Sequence, residues 1–474
     1  MIKFENISIR MGNRLILPDT SWEIKAGQNW AVTGPNGAGK SSLVRAVFGD
    51  VPVVRGKVIR HPRFLSKNSI GYVSFELHQH IIAQDENKDH ARFFSRTTDN
   101  LTTAGQCLED FSPDIELVKN IAVQMEILHL MDRPIRYLST GEMRRMLIAR
   151  AMTKSPELLI LDEPFDGLDI LSRKKLSNII SSLISEKMQI ILITHRIEEI
   201  LPEISHIIRV KDCRVIMQGK REDILFTTMI SQKTFNKKFS PEFLCSITQN
   251  FNHIPNTLIK MKNVKVKYKD NLVFENLNWT VKKGENWAVT GPNGSGKTTL
   301  LSLISGDNPQ AYANHIYLFG KKRGTGESIW EIKQHIGTAS SEMQIRYRKS
   351  ITAFDVILSG FYDSVGLYRN CSLQEKKTAL NWIQFLGIED KAGCLFNNLS
   401  YGEQRLIILA RAMVKSPVLL ILDEPCQGLD PENREMILKL IDFIGHSTKT
   451  NILYVSHHPD ERPACISNTL SLPL

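Results

Sequence analysis

Two short stretches hold the residues best suited to chemistry. Gly34-Pro35-Asn36-Gly37-Ala38-Gly39-Lys40-Ser41 and Gly291-Pro292-Asn293-Gly294-Ser295-Gly296-Lys297-Thr298 both fit the spacing G-x-x-x-x-G-K-[ST]. Such glycines let successive backbone N–H groups curl around phosphate oxygens, and the helix that follows adds positive potential at its N-terminus. Lys40 and Lys297 would reach the β- and γ-phosphates, and Ser41 and Thr298 would offer a hydroxyl to Mg²⁺. Ser42 and Thr299 extend the same cradle. One chance match would be a turn before a helix; two, each after an apolar strand, favour phosphate binding. Two acidic pairs, Asp162-Glu163 and Asp423-Glu424, each close an apolar LLIL run. A carboxylate at the C-terminal edge of a strand meets the ligand crevice of an open α/β sheet. Asp162 and Asp423 are expected to hold Mg²⁺ through water, and Glu163 and Glu424 to orient or deprotonate an attacking water. A lone Asp-Glu after a strand would be a helix cap; its pairing with a glycine loop reverses that reading.

These motifs recur in one order. Lys297 follows Lys40 by 257 residues, Ser400 follows Ser139 by 261, Asp423 follows Asp162 by 261, and His457 follows His195 by 262. A duplicated domain of roughly 230 residues explains this, because stacked repeats have periods of about 20–50. Each half reads as an apolar strand (Trp30 to Val32 in the first), a glycine loop and a helix (Ser41 to Phe48). A middle region without strong strands follows, then a helix opening at Leu138-Ser139-Thr140-Gly141-Glu142 or Leu399-Ser400-Tyr401-Gly402-Glu403. Two continuous apolar strands complete the half, over Leu158–Leu161 and Ile190–Ile193, or Leu419–Leu422 and Ile452–Val455. Apolar strands alternating with helices indicate an α/β fold with a mostly parallel, covered sheet. The expected division is a domain over 1–227, a connector over 228–257 and a second domain over 258–474. Phe235, Phe239, Phe243 and Phe251 suggest that the connector is docked and not a free tether. Lys260, Lys262, Lys265, Lys267 and Lys269 interleave with Met261, Val264, Val266 and Tyr268, which suits a strand with its lysines on the wet face.

Composition narrows the classes. Of 474 residues, 42% are hydrophobic and 23% charged, which argues against a disordered, fibrous or coiled-coil chain. No run approaches the length of a membrane span, and MIKFENISIR lacks the apolar stretch of a secretory signal. Seven cysteines without a CxxC disfavour a disulfide framework, a zinc site or an iron–sulfur cluster, and suggest a reducing, cytoplasmic setting. The net charge of +10 helps approach to anionic partners without saying which. His78 and His80 in a polar loop are read as solvated before they are read as a metal pair. Met143, Met146 and Met152 are read as packing, and Trp30 and Trp287 as core.

With these motifs in hand, the chain resembles an ATP-binding-cassette protein with two P-loop nucleotide-binding domains in one polypeptide, each with a sheet core and a helical subdomain. The discriminating segment, usually LSGGQ, is LSTGE and LSYGE here. Each lies 23 residues before the Asp of its Asp-Glu pair, measured from the serine. The stretches TGPNGAGKSSL, VSFELHQ, THRIEE, ILSGFYDSVGLY and YVSHHPDERPACI are similar to the molybdate-transport/photorepair ATP-binding family. The resemblance implies ATP hydrolysis with ATP and Mg²⁺ as cofactors, and composite sites formed by intramolecular pairing of the domains. One site would join Lys40, Ser41, Asp162, Glu163 and His195 to Ser400 and Gly402. The other would join Lys297, Thr298, Asp423, Glu424 and His457 to Ser139 and Gly141. His195 and His457 would sense the γ-phosphate, and Asp169 and Asp430 would let the sites communicate. Tyr268 sits where the family stacks an aromatic on adenine, whereas Met11 occupies that place in the first half, so the second site is expected to bind ATP more tightly. Neither half has the family's glutamine after Gly71-Tyr72-Val73 or Gly337-Thr338-Ala339; Gln79 comes late, and Glu76 and Glu342 are the nearest substitutes. The connector is too short for the charged linker of tandem translation factors. The favoured role is the ATPase component of a transport system, molybdate-type by resemblance, recruited by a separate membrane permease on the inner face of the plasma membrane. The alternatives are an ATPase acting on nucleic acid or ribosomes and a stand-alone nucleotide-dependent scaffold.

Overall fold

The computed structural model describes residues 1–11, 14–66, 68–74, 77, 81, 85, 101–230, 254–268, 271–347, 350–457 and 461–472. Contacts divide the chain into two units, Met1–Thr234 and Phe235–Leu474. Most of the expected connector, with its phenylalanines, lies outside the described residues, as do Lys269, Glu76, His78, Gln79 and His80. The helix Arg221–Ile230 carries the first unit a few residues into that stretch.

The first unit contains β1 (Ile2–Met11), β2 (Arg14–Ile24), β3 (Trp30–Thr33), β4 (Val53–Arg60), β5 (Ile70–Val73), β6 (Leu158–Asp162), β7 (Gln189–Thr194), β8 (His206–Lys211) and β9 (Arg214–Lys220). Its main sheet runs β5-β6-β7-β3-β8-β9, parallel except for the β8–β9 hairpin. The second unit contains β10 (Thr257–Tyr268), β11 (Asn271–Lys282), β12 (Trp287–Thr290), β13 (His315–Leu318), β14 (Lys321–Lys322), β15 (Ile336–Ser340), β16 (Leu419–Asp423), β17 (Asn451–Val455) and β18 (Asn468–Ser471). Its parallel sheet runs β15-β16-β17-β12-β18. The strands expected from continuous apolar runs are these central ones, and β6, β7 and β17 are buried along their whole length. Burying both faces is what favours such uniform Leu/Ile/Val composition.

Each unit also carries an antiparallel sheet that the apolar runs did not announce, β2-β1-β4 in the first and β11-β10-β13-β14 in the second. In β10 the lysines lie on the wet face as predicted, with a change of phase at Asn263: Met261, Val264 and Val266 are buried while Lys260, Lys262, Lys265 and Lys267 are exposed. The middle regions are helical, as expected. They include Ala104–Glu109 and Ile115–Gln124 in one unit, and Ala353–Ser359 and Leu373–Leu386 in the other. Among the described residues each unit holds two apolar clusters, one under the antiparallel sheet and one joining the helical region to the parallel sheet. Met143 and Met146 are fully packed in the latter, as expected, and Trp30 is core while Trp287 is only partly covered.

Candidate nucleotide sites

Each glycine loop links a central parallel strand to a helix, β3 to Lys40–Phe48 and β12 to Lys297–Ser305. Gly34 begins the first loop at φ 148 and Gly291 the second at φ 152. A Cβ on Gly34 would overlap the Val210 carbonyl of neighbouring β8, and one on Gly291 the Leu472 carbonyl just after β18. Glycine is therefore required where the loop passes the adjacent strand. Gly39 and Gly296 cap the helices in the left-handed region, at φ 94 and 93. Both loop lysines are buried and turn back on their own loops. Lys40 Nζ donates to Gly34 O at 2.9 Å and Pro35 O at 3.1 Å, and Lys297 Nζ to Gly291 O at 2.7 Å and Pro292 O at 2.9 Å. This folds an ammonium into the ring of backbone groups where an anion would sit. In the first unit the turn between β8 and β9 touches both β2 and the loop: Leu17 N of β2 donates to Cys213 O at 2.7 Å, and Cys213 Sγ lies 3.8 Å from Gly37 O.

The acidic pairs end β6 and β16. Glu163 and Glu424 each adopt left-handed backbone, φ 50 and 48, while their N–H groups still bond Ile193 O and Val455 O on the next strand, both at 3.0 Å. This turn, costly for a residue with a side chain, aims each glutamate at the histidine ending that strand. His195 Nδ1 lies 2.7 Å from Glu163 Oε2, and His457 Nδ1 lies 2.8 Å from Glu424 Oε1. Lys40 Nζ is 3.5 Å from the other Glu163 oxygen. Burial disfavours the charged form of His195, yet the Glu163 carboxylate together with the Asp166 and Glu199 charges outweighs it and raises the imidazole pKa. Burial likewise opposes the charge on Glu163, but His195 and Lys40 hold its carboxyl below the ordinary value. Burial raises Asp162 despite hydrogen bonds from Tyr72 and Ser41. Burial and the neighbouring Glu424 charge push Asp423 up to about 6.

The signature segments start helices, Thr140–Met152 and Tyr401–Met413, through complete capping boxes. Ser139 Oγ accepts from Glu142 N at 3.3 Å while Glu142 returns to Ser139 N at 2.7 Å; Ser400 and Glu403 repeat both distances. Gly141 and Gly402 sit against Ser172 and Asn433, in helices capped by Asp169 and Asp430. Tyr268 is half-exposed at the end of β10, its hydroxyl accepting from Asn308 Nδ2 at 2.7 Å, and Met11 is similarly exposed at the end of β1. In place of the family glutamine, Glu342 pairs with exposed Arg346, and Gln344 is buried with its Nε2 donating to Gln404 Oε1 at 2.7 Å.

Three partners escaped the sequence reading. Tyr72 Oη donates to Asp162 Oδ2 at 2.7 Å. Glu199, buried, accepts from Thr194 Oγ1 at 2.5 Å and faces Arg173 at 3.7 Å. Glu461 repeats this with Ser456 at 3.4 Å and Arg434 at 3.8 Å. Each glutamate thus ties the strand that ends at the histidine to the helix capped by Asp169 or Asp430. The signal for the last two was available, since Glu199 to Glu461 keeps the 262-residue offset of the histidines.

Doubled glycine loops, strand-end carboxylates and histidines on parallel sheets define a tandem P-loop ATPase. The chain belongs to the ABC transporter family, whose model matches residues 17–166 and 274–427. It is an ATP-binding component of that family and hydrolyses ATP. It is 39% identical over 453 residues to the ABC transporter ATP-binding protein ModF of Escherichia coli, covering 94% of this chain and 91% of that one. It is 30% identical to an uncharacterised ABC transporter ATP-binding protein of Schizosaccharomyces pombe, covering 98% and 96%. A solved complex containing the archaeal ribosome recycling factor matches 98% of this chain and 87% of that chain, with a TM-score of 0.57 and 18% identity, and shows the shared fold alone.

Proposed function

We propose that both cassettes hydrolyse ATP, with Glu163 and Glu424 as the bases that take a proton from the attacking water. The observation carrying this is the carboxylate–histidine pair, reproduced at 2.7 and 2.8 Å in two units that share no residue. Lys40 and Lys297 would leave their loop carbonyls for the β- and γ-phosphates, and Gly34 to Ser42 and Gly291 to Thr299 would cradle them. His195 and His457, held by the glutamates, would meet the γ-phosphate with the other ring nitrogen. In the ATP-bound form, Ser139 and Gly141 of one cassette would serve the nucleotide of the other, and Ser400 and Gly402 the reverse; this rests on the family resemblance. The donor set fits Mg²⁺, which takes one or two protein oxygens and keeps its waters. In the first cassette those oxygens are Ser41 and Asp162, already hydrogen-bonded to each other; in the second they are Thr298 and Asp423. The bound metal would offset charge on the phosphate oxygens. Replacing both bases, Glu163→Gln with Glu424→Gln, should lower steady-state phosphate release by about two to four orders of magnitude while ATP stays bound. Turnover persisting in the double variant would sink the assignment.

The reading extends to a separate membrane permease as partner, with the chain at the cytoplasmic face of the membrane and a molybdate-type cargo. Among the described residues no helix is long and apolar enough to cross a bilayer, so passage through it would fall to another chain. Capture with the Glu163→Gln/Glu424→Gln protein held in ATP should enrich a permease. Enrichment of RNA and ribosomes instead would overturn the transport reading.

A further inference from the structure

The two sites differ at the carboxylate assigned to the metal. β5 pairs with β6 so that Tyr72 lies opposite Ile160, and β15 pairs with β16 so that Thr338 lies opposite Ile421. Tyr72 and Thr338 are therefore equivalent, two positions before Asp162 and Asp423 on the neighbouring strand. The phenol of Tyr72 reaches across and donates to Asp162 Oδ2 at 2.7 Å. The glycine-loop helix also packs on this tyrosine, with Phe48 at 5.2 Å between centroids and the Arg45 guanidinium 5.9 Å from the ring centre and hydrogen-bonded to the phenol. In the second cassette the three positions are Thr338, Ser305 and Ser302. Ser305 and Ser302 turn to local partners there, Asp307 and the Thr299 carbonyl, at 2.6 and 2.8 Å. The tyrosine, its aromatic neighbour and its cation are thus replaced together.

We propose that Tyr72 is a positioning residue of the first cassette. It fixes one Asp162 oxygen as a hydrogen-bond acceptor and leaves the other aimed at the metal, giving that cassette a more preorganised Mg²⁺ site than the second. The inference rests on the reading of Asp162 as the metal carboxylate. Hydrogen-bonded neighbours of ligating carboxylates set their orientation, and removing one typically costs about 10–100-fold in metal affinity. Thr338 is too short to make the equivalent bridge, so Asp423 depends on the metal and its waters for its orientation.

Mn²⁺ serves as the probe, followed by loss of the free-ion paramagnetic signal, with the full-length protein saturated by a non-hydrolysable ATP analogue. The Lys297→Ala background reports the first cassette and the Lys40→Ala background the second. Tyr72→Phe, which keeps the ring against Phe48, should weaken Mn²⁺ binding about 10–100-fold in the first background and leave it unchanged in the second. Analogue binding in excess EDTA should not move. Thr338→Ala should leave Mn²⁺ affinity unchanged in the Lys40→Ala background. An unshifted Tyr72→Phe titration beside a large loss in Asp162→Asn overturns the role of Tyr72 alone. An Asp162→Asn protein that binds Mn²⁺ normally overturns the metal assignment and this inference with it. Equal shifts from Tyr72→Phe in both backgrounds would mark a general packing defect and also overturn it.

Discussion

Gly141 and Gly402 hold equivalent places in the two signature turns, yet their surroundings differ. A Cβ at 141 would lie 2.9 Å from Ser172 Oγ, which can rotate away, and 3.0 Å from Ser172 Cβ, which cannot, whereas one at 402 would come within 2.8 Å of three atoms of the Asn433 amide. That amide is pinned, its Nδ2 donating to Asp430 Oδ2 at 2.9 Å. Gly141→Ala should therefore cost less than Gly402→Ala, because rotation of the Ser172 hydroxyl relieves part of its clash. Gly402→Ala should cost about 1–3 kcal/mol by overpacking, measurable as a lower denaturation midpoint of the second unit, with recovery on adding Asn433→Ser. An equal cost at both glycines would contradict this. Most groups at the candidate sites were legible because their motifs are local: a glycine loop, a strand-end acid pair and a capping box each lie within ten residues. Tyr72 was not. Its partner Asp162 is 90 residues away, and only the order of strands in the sheet brings them together.

At the scale of elements, the signature helices show one side chain in two roles. Ser139 and Ser400 are caps in the structure and γ-phosphate ligands in the proposal. Aspartate caps a helix about as well as serine, whereas alanine costs about 1 kcal/mol. Ser139→Asp should therefore keep the thermal midpoint of the native chain while its new negative charge, set against a triphosphate, lowers ATP turnover. Ser139→Ala should lower the midpoint as well. A Ser139→Asp protein that turns over at the native rate would remove the phosphate role and leave the cap. The parallel strands could be read because full burial leaves an unbroken apolar run. The antiparallel layers were harder, because bulges shift their pattern. At Asn6 and Asn263, both with positive φ, the pairing register slips. Buried positions accordingly change from Ile2 and Phe4 to Ile7 and Ile9, and from Ile259 and Met261 to Val264 and Val266. An alternation that changes phase midway loses its period-2 signal.

At the scale of the whole molecule, each unit has its own apolar clusters and its own glycine loop, so a nucleotide should stabilise first the unit whose loop holds it, before the signature segment of the other cassette engages. A nucleotide present at about 100 times its Kd adds about 2.7 kcal/mol to the unit that holds it. Lys40→Ala should abolish the ATP-induced rise in melting temperature of the first unit, and Lys297→Ala that of the second. If Tyr268 stacks on adenine, worth about 0.5–1.5 kcal/mol beyond area burial, the second unit should respond at lower ATP. Coincident titrations in the two single variants would refute that difference. The duplication was plain from the offsets of four motifs, whereas the join between the units is neither periodic nor motif-bearing, and most of it lies outside the described residues. The hairpin turn at Cys213 makes the first unit individually addressable. Its thiol is partly accessible and lies 3.8 Å from the Gly37 carbonyl, while the second parallel sheet ends at β18. With Cys245, Cys371, Cys394 and Cys465 changed to serine, an environment-sensitive dye attached at Cys213 becomes an optical gauge of occupancy in one cassette. The order in which the two nucleotides arrive and leave can then be timed in the intact polypeptide.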